Sequence, residues 1–408
     1  MSFRVKLQVP PLPSSLQEGK LNIYWQRTKG SLSRWIAVWD APALHSYPAG
    51  LRRLLLRLIQ EENPTISRRL CELGWDWSWE ARQDYIVLYA EGLTENLTQA
   101  IDTLHAAITH PVPGWLIAQK HLQRMIEARV RAWASPPYRA DAILARNLWG
   151  STYTVSEAAT PEMLRMMDIS LLAEYQERFL LRGLRALWIA APVLPSVSRW
   201  ASLAQSISYE LKIPLDPPAA NYAEPASEAK QTSLRLAYPW FRLAHPAYGL
   251  YRLALVRLGG YFGSMLMRSI REEAGLTYGI YARAVHTWVG SYFVISTEVA
   301  RSRAEEALQK IHAVVKEWST CLFPEPSILA EVRNYTLLHL MPETLGEWLT
   351  KLAHWVAAGQ TLDAYLRYLQ AIDHAAWKDE FATYFPTSPN VQVVVGGPEV
   401  ILSVAECV

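Results

Sequence analysis

An α+β fold built twice is what this sequence predicts, with two homologous domains that each pack a mixed β-sheet against α-helices. Three observations predict it. The chain has 408 residues, too many for one ordinary core, so two domains of ~200 residues are the default. Strand-like alternation and helical periodicity are intermixed along its whole length. The two halves also run through a related order of signals.

In the first half, "GLRRLLLRLI" over residues 50–59 opens a helix that continues to about residue 62, with Arg53 and Arg57 one turn apart around Leu56. Arg57 and Glu61 form an i,i+4 pair of opposite charge. "PTISRRLCELGW" makes a second helix. The stretch "WDWSWEARQDYIVLYAEG" reads as two strands, with the indoles of Trp75, Trp77 and Trp79 on one face. That face is expected to pack on helices; the alternative is an aromatic wall of a peptide-holding chamber. In "ENLTQAIDTLHAAITH", Leu97, Ile101, Leu104 and Ile108 recur at helical spacing. The half closes on the β-rich "RALWIAAPV".

The second half repeats this order. "YFGSMLMRSIREEAG" is helical, "TYGIYARAV" and "GSYFVISTEV" are strand-like, and "SRAEEALQKIHAVVKEW" is again an amphipathic helix. Leu308 there corresponds to Ile101. "NVQVVVGG" closes this half. Between the halves, "LDPPAANYAEPASEAKQTS" over 215–233 lacks apolar periodicity and reads as a linker. The expected division is therefore 1–214, linker 215–233, and 234–408.

Composition narrows the function classes. Half the residues are hydrophobic and 19% are charged, which fits a well-packed globular chain. A net charge of +2 and a pI near 8.3 give no electrostatic case for nucleic acid or an anionic membrane. Cys71, Cys321 and Cys407 are isolated, which argues against a disulfide framework or a cysteine metal site. The first residues lack an apolar signal core, and no run approaches the ~18 apolar residues of a spanning helix. A cytoplasmic protein is expected.

The richest stretch is "LGGYFGSMLMRSIREEAGLTYGIY", residues 258–281. Gly259 and Gly260 allow backbone conformations that a Cβ resists, just before a helix. Arg271 falls near that helix's C-terminal end, Gly275 can close it, and Tyr278 follows on a strand. A guanidinium and a phenol are good donors to a peptide carbonyl or to the oxyanion made from it.

The string resembles the C-terminal signature of the insulinase/pitrilysin family of inverted-zincin metallopeptidases. The match runs without a gap through Leu258, Gly259, Gly260, Phe262, Ser264, Leu266, Ile270, Arg271, Glu272, Gly275, Leu276 and Tyr278. Met265 stands where the family usually has arginine. The resemblance extends through "GSYFVISTEVARSRAEEALQKI" and "MPETLGEWLTKLAHW" to "NVQVVVGGPE", and more loosely over the first half.

The resemblance implies a zinc motif, H-x-x-E-H, on an early helix. Laid on "GLRRLLLRL", the two ligand positions become Arg53 and Arg57 and the general base becomes Leu56. A guanidinium offers no lone pair and leucine takes no proton, so no metal is expected in this chain. The ten histidines, among them His105, His110 and His121, form no H-x-x-x-H pair. Glu127, the carboxylate nearest the family's further ligand position, is out of register and reads as a solvated helix residue.

Some bacterial members of that family divide the work between two chains. The resemblance therefore implies half of a clamshell: a non-catalytic subunit whose homologous partner keeps the zinc motif and the zinc. Arg271 and Tyr278 would complete the active site in trans by holding the peptide backbone and the oxyanion, with Gly259 and Gly260 beside the substrate. The partners implied are that catalytic subunit, a peptide substrate and, without the subunit, a second copy of this chain. The alternatives are a non-proteolytic scaffold, or a peptide-binding homodimer of the same fold.

Overall fold

The computed structural model describes residues 10–42, 47–149, 159–207, 220–225, 229–320, 325–372 and 385–396. The first half contributes β1 (Ser14–Glu18), β2 (Leu21–Arg27), β3 (Leu32–Asp40), α1 (Leu51–Glu61), α2 (Pro64–Glu72), β4 (Trp75–Ala81) and β5 (Tyr85–Leu93). Next come α3 (Leu97–Thr109), α4 (Trp115–Trp133), α5 (Pro136–Trp149), α6 (Pro161–Arg165), α7 (Leu171–Tyr175), β6 (Leu184–Ala191) and α8 (Ser198–Ala201). The remainder holds β7 (Ala220–Pro225), β8 (Gln231–Pro239), α9 (Tyr248–Gly259), a π-helical segment (Met267–Glu273), β9 (Thr277–His286) and β10 (Ser291–Ala300). It ends with α10 (Ala304–Thr320), α11 (Pro326–Leu340), α12 (Leu345–Ala357), α13 (Leu362–Ala371) and β11 (Val391–Gly396).

The expected duplication is visible strand by strand. One sheet runs β1-β2-β6-β3-β5-β4 and the other β7-β11-β8-β10-β9. Leaving out β1, the two orders superpose. The matching pairs β2/β6 and β7/β11 are both parallel, and the equivalent remaining pairs are antiparallel. In each half a left-handed glycine turns a helix into the edge strand: Gly74 (φ 69°) before β4 and Gly275 (φ 60°) before β9. Only glycine adopts that region without a steric cost.

Burial follows the predicted periodicities. Leu97, Ile101, Leu104 and Ile108 of α3 are all buried, as is Leu308 of α10. Trp75 and Trp77 are buried against the helices of the first sheet, with Trp79 packed beside them, in line with a packing face. The opposite face of that sheet, with Ile36, Val87 and Trp188, shares one core with Leu255, Trp348 and Leu352 from the second half. The second sheet's outward face, including Val294, Val393 and Val395, is covered by Ala140, Ile143 and Leu144 of α5. A helix from the first half thus roofs the sheet of the second.

Two expectations change. Within the segment read as a linker, Ala220–Pro225 is β7 and Gln231 opens β8. The prolines misled because β7 lies at a sheet edge, where a missing N–H costs little. Gly259 and Gly260 also do more than precede a helix: Gly259 ends α9 and Gly260 caps it, and the next helix begins only after a turn through Tyr261 and Ser264. Cys321 and Cys407 lie outside the described residues; Cys71 is exposed.

Candidate functional site

Arg271 stands in the last turn of the π-helical segment. The chain leaves that turn through paired bonds: the Gly275 N–H donates to Arg271 C=O (3.2 Å) and the Leu276 N–H to Ile270 C=O (2.9 Å). The orphan carbonyls of the helix end are thereby satisfied and β9 starts at once. The Arg271 guanidinium carbon lies 4.3 Å from the centre of the Phe262 ring. Phe262, 60% exposed, offers its face to the cation from the loop before the helix. In the sequence Phe262 is one more residue of the signature string; only the fold brings it under Arg271.

Tyr278 is 89% exposed, and a register change explains why. Along β9 and β10, Ile280 lies opposite Thr297, yet Thr277 lies opposite Val299. Two residues, Tyr278 and Gly279, therefore oppose the single Glu298, which is a β-bulge. Without the extra residue Tyr278 would face Val299, which is fully buried, and would point into the core. The bulge turns the phenol to the outer face, where Tyr281 and Arg283 are also exposed. Arg271 and Tyr278 thus both reach the surface at one helix-to-strand turn.

The glycines sit differently. Gly259 is buried, and a Cβ there would come within 2.6 Å of the Ala282 backbone nitrogen. Its place is close packing of α9 on β9, and a Cβ on Gly260 would meet Val256 of its own helix at 2.6 Å. This corrects the expected substrate contact at Gly259, because a buried glycine between two elements has no surface to offer.

On α1, Arg53 is exposed and Arg57 partly so, while Leu56 is buried. Arg57 Nε donates to Glu61 Oε1 at 2.6 Å, the pair expected from spacing. His121 is fully buried and pairs with Glu62, with Glu61 Oε2 3.6 Å from its Nδ1. Glu127 is exposed and accepts from Gln123 Nε2 at 3.1 Å. Arginine and leucine at 53, 56 and 57 do not fit a zinc ion, and no group of three or more His, Cys, Asp or Glu poised for a metal occurs among the described residues.

Where the ends of the two sheets meet, a polar cavity of about 510 Å³ is lined by Asp40, Asp84, Arg185, Arg242, His286 and Trp288, among others. Asp84 accepts the Trp288 backbone N–H at 3.1 Å across the junction, and burial pushes its carboxyl up to about 7. Arg185 pairs with Asp40 at 3.3 Å and donates to Ala357 C=O. His286 is held by Tyr248 Oη (2.6 Å) and Ser291 Oγ (3.0 Å); burial, then the charge of Arg252, lowers it to about 4. Nearby, His354 bridges Tyr85 (3.0 Å) and Tyr89 (2.6 Å). Tyr89 in turn donates to Glu80 at 2.8 Å. The Asp84–Trp288, Arg185–Ala357 and His354 contacts with Tyr85 and Tyr89 tie the halves together.

The twin sheets define the class, an insulinase-like peptidase fold. Residues 198–334 match the family model described as peptidase M16 inactive domain, which bears out the resemblance read from the signature string. No curated protein matches in sequence. Among solved structures, the peptidase M16 inactive domain from Pseudomonas fluorescens is similar at TM-score 0.84 and 17% identity, over 94% of this chain and 98% of that one. The periplasmic protease PqqL from Escherichia coli is similar at TM-score 0.72 and 13% identity, over 95% of this chain but 46% of its own. A chain of complex III2 from Candida albicans is similar at TM-score 0.73 and 12% identity, over 94% and 95% of the two chains. At such identities the likeness is one of fold. No helix among the described residues is long and apolar enough to cross a membrane.

Proposed function

We propose that this chain is the non-catalytic subunit of a heterodimeric zinc peptidase. One observation carries the reading: a half-buried Arg271 and an exposed Tyr278 reach the surface at a single turn, while the positions matching the zinc motif hold Arg53, Leu56 and Arg57. The partner, a homologous chain with H-x-x-E-H intact, would supply metal and base. The Tyr278 phenol would donate to the oxyanion of the attacked peptide carbonyl. Arg271 would hold the peptide backbone with its guanidinium fork. The periplasmic protease PqqL matches this chain over 46% of its own length, which leaves room in that chain for a second half of similar size, as the two-subunit reading requires.

The test is co-expression with the homologous chain. Chelator-sensitive cleavage of an unfolded peptide is expected from the mixture and from neither chain alone. Tyr278→Phe is expected to lower kcat by ~10²–10³, the usual cost of one oxyanion donor, with assembly intact. Full activity of the zinc-bearing chain unaided, or near-normal turnover with Tyr278→Phe, would overturn the reading. The second outcome would favour a scaffold role of the kind the complex III2 fold allows.

A further inference from the structure

We propose that Thr297, together with Thr277, is a positioning residue for Tyr278: two hydroxyls clasp the β9 bulge and so decide which way the phenol faces. The inference deepens the reading above and rests on it for the consequence to turnover, though the clasp itself does not.

A bulge takes backbone groups off the ladder, and each must find another partner. Here hydroxyls supply them. The Gly279 N–H donates to Thr277 Oγ1 at 3.2 Å. Thr277 Oγ1 in turn donates to the carbonyl of Glu298, the residue opposite the bulge, at 2.7 Å. Thr297 Oγ1 lies 2.9 Å from both Gly279 C=O and Thr277 Oγ1 and donates between them. Thr297 is 1% exposed, so water cannot stand in for it. Thr277 Oγ1 also lies 3.0 Å from Gly279 C=O, but it has one proton, and that proton is engaged with Glu298 C=O. Valine has the shape of threonine without the hydroxyl, so it would leave that one proton to serve two carbonyls and one of them short of a donor. Two routes relieve that: β9 straightens to the regular register, turning Tyr278 toward Val299, or its first residues fray. Either one removes the fixed direction of the phenol. Tyr278 thus owes its outward aim to a residue on the neighbouring strand that touches no substrate.

The test uses the full chain with Thr297→Val, Thr297→Ser and Thr336→Val. Thr336 is a buried threonine on α11 that bonds Val332 C=O and controls for loss of any buried hydroxyl. On the chain alone, amide exchange over residues 277–284 is expected to quicken about tenfold in Thr297→Val and to stay unchanged in the other two. In the reconstituted pair, kcat is expected to fall about tenfold with KM within about twofold, restored by Thr297→Ser. Unchanged exchange in Thr297→Val overturns the clasp, whatever the activity. Faster exchange with unaltered kcat, where Tyr278→Phe does lower kcat, overturns the positioning role. Unaltered kcat in Tyr278→Phe removes the function reading instead, and exchange still decides the clasp. Should Thr297→Val not fold, Thr277→Val, on the more open side, takes its place in both measurements, and the same results support or overturn the clasp.

Discussion

Tyr278 and Gly259 show how much one position can depend on its neighbours. Tyr278 is outside only because β9 carries one residue more than β10 there, and strand alternation by itself would have placed it inside. Gly259 looked like a flexible residue beside a ligand, yet its φ is not in the left-handed region and what it lacks is room. A Cβ would press on Ala282 N at 2.6 Å and its methyl at 2.8 Å. Because a backbone atom cannot move aside as a side-chain tip can, Gly259→Ala is expected to destabilise the chain by about 2 kcal/mol, within the range of overpacking penalties. Urea unfolding would measure it. A loss below ~0.5 kcal/mol would show that α9 lifts off β9 freely.

At the scale of elements, the two helix-to-strand turns make a matched comparison. Gly74 and Gly275 share the same left-handed conformation in equivalent places. A Cβ at Gly275 meets nothing within 4 Å, whereas at Gly74 it meets Leu93 Cδ1 at 2.8 Å. Gly275→Ala is therefore expected to cost only the conformational term, about 1–2 kcal/mol. Gly74→Ala is expected to cost more, because the Leu93 side chain must also shift. Paired denaturation curves would check the order, and equal losses would mean the Leu93 contact relaxes for nothing. The helix α12 is set by Thr344, which accepts the Glu347 N–H at 3.1 Å while Glu347 accepts from Glu343 N–H at 3.0 Å.

At the scale of the whole molecule, the halves are joined by a shared core and a polar junction, and the junction should register in the pH dependence of stability. Asp84 is 3% exposed, and its carboxyl stands at about 7 against 3.8 unfolded. Between those values the folded chain binds the extra proton, so this group's contribution to stability falls as pH rises from about 4 to 7. Above that range the loss is complete, at most about 4 kcal/mol. Asp84→Asn keeps an acceptor for the Trp288 N–H and removes the titration. Its stability is expected to fall less than the parent's between pH 5 and pH 7.5, read by thermal melts. Parallel curves would mean that Asp84 keeps its ordinary acidity. Glu80 runs the other way. Hydrogen bonding to His354, then to Tyr89, holds it at about 2, so its contribution is present above 4.5 and lost on acidification below it.

The alternation of helix and strand from α1 to α3, its repeat in the second half, the buried stripe of α3 and the Arg57–Glu61 pair were legible in the sequence, because they rest on spacing along neighbouring residues. What tertiary structure decided depends on contacts between elements distant in the chain. The roofing of the second sheet by α5, the crowding of Gly259 by Ala282 and the seating of Phe262 beneath Arg271 are of this kind. So is the outward turn of Tyr278, which follows from register against β10 and from the Thr297 hydroxyl. Periodicity reports which face a residue prefers; only a neighbouring strand can add the one-residue offset that reverses it.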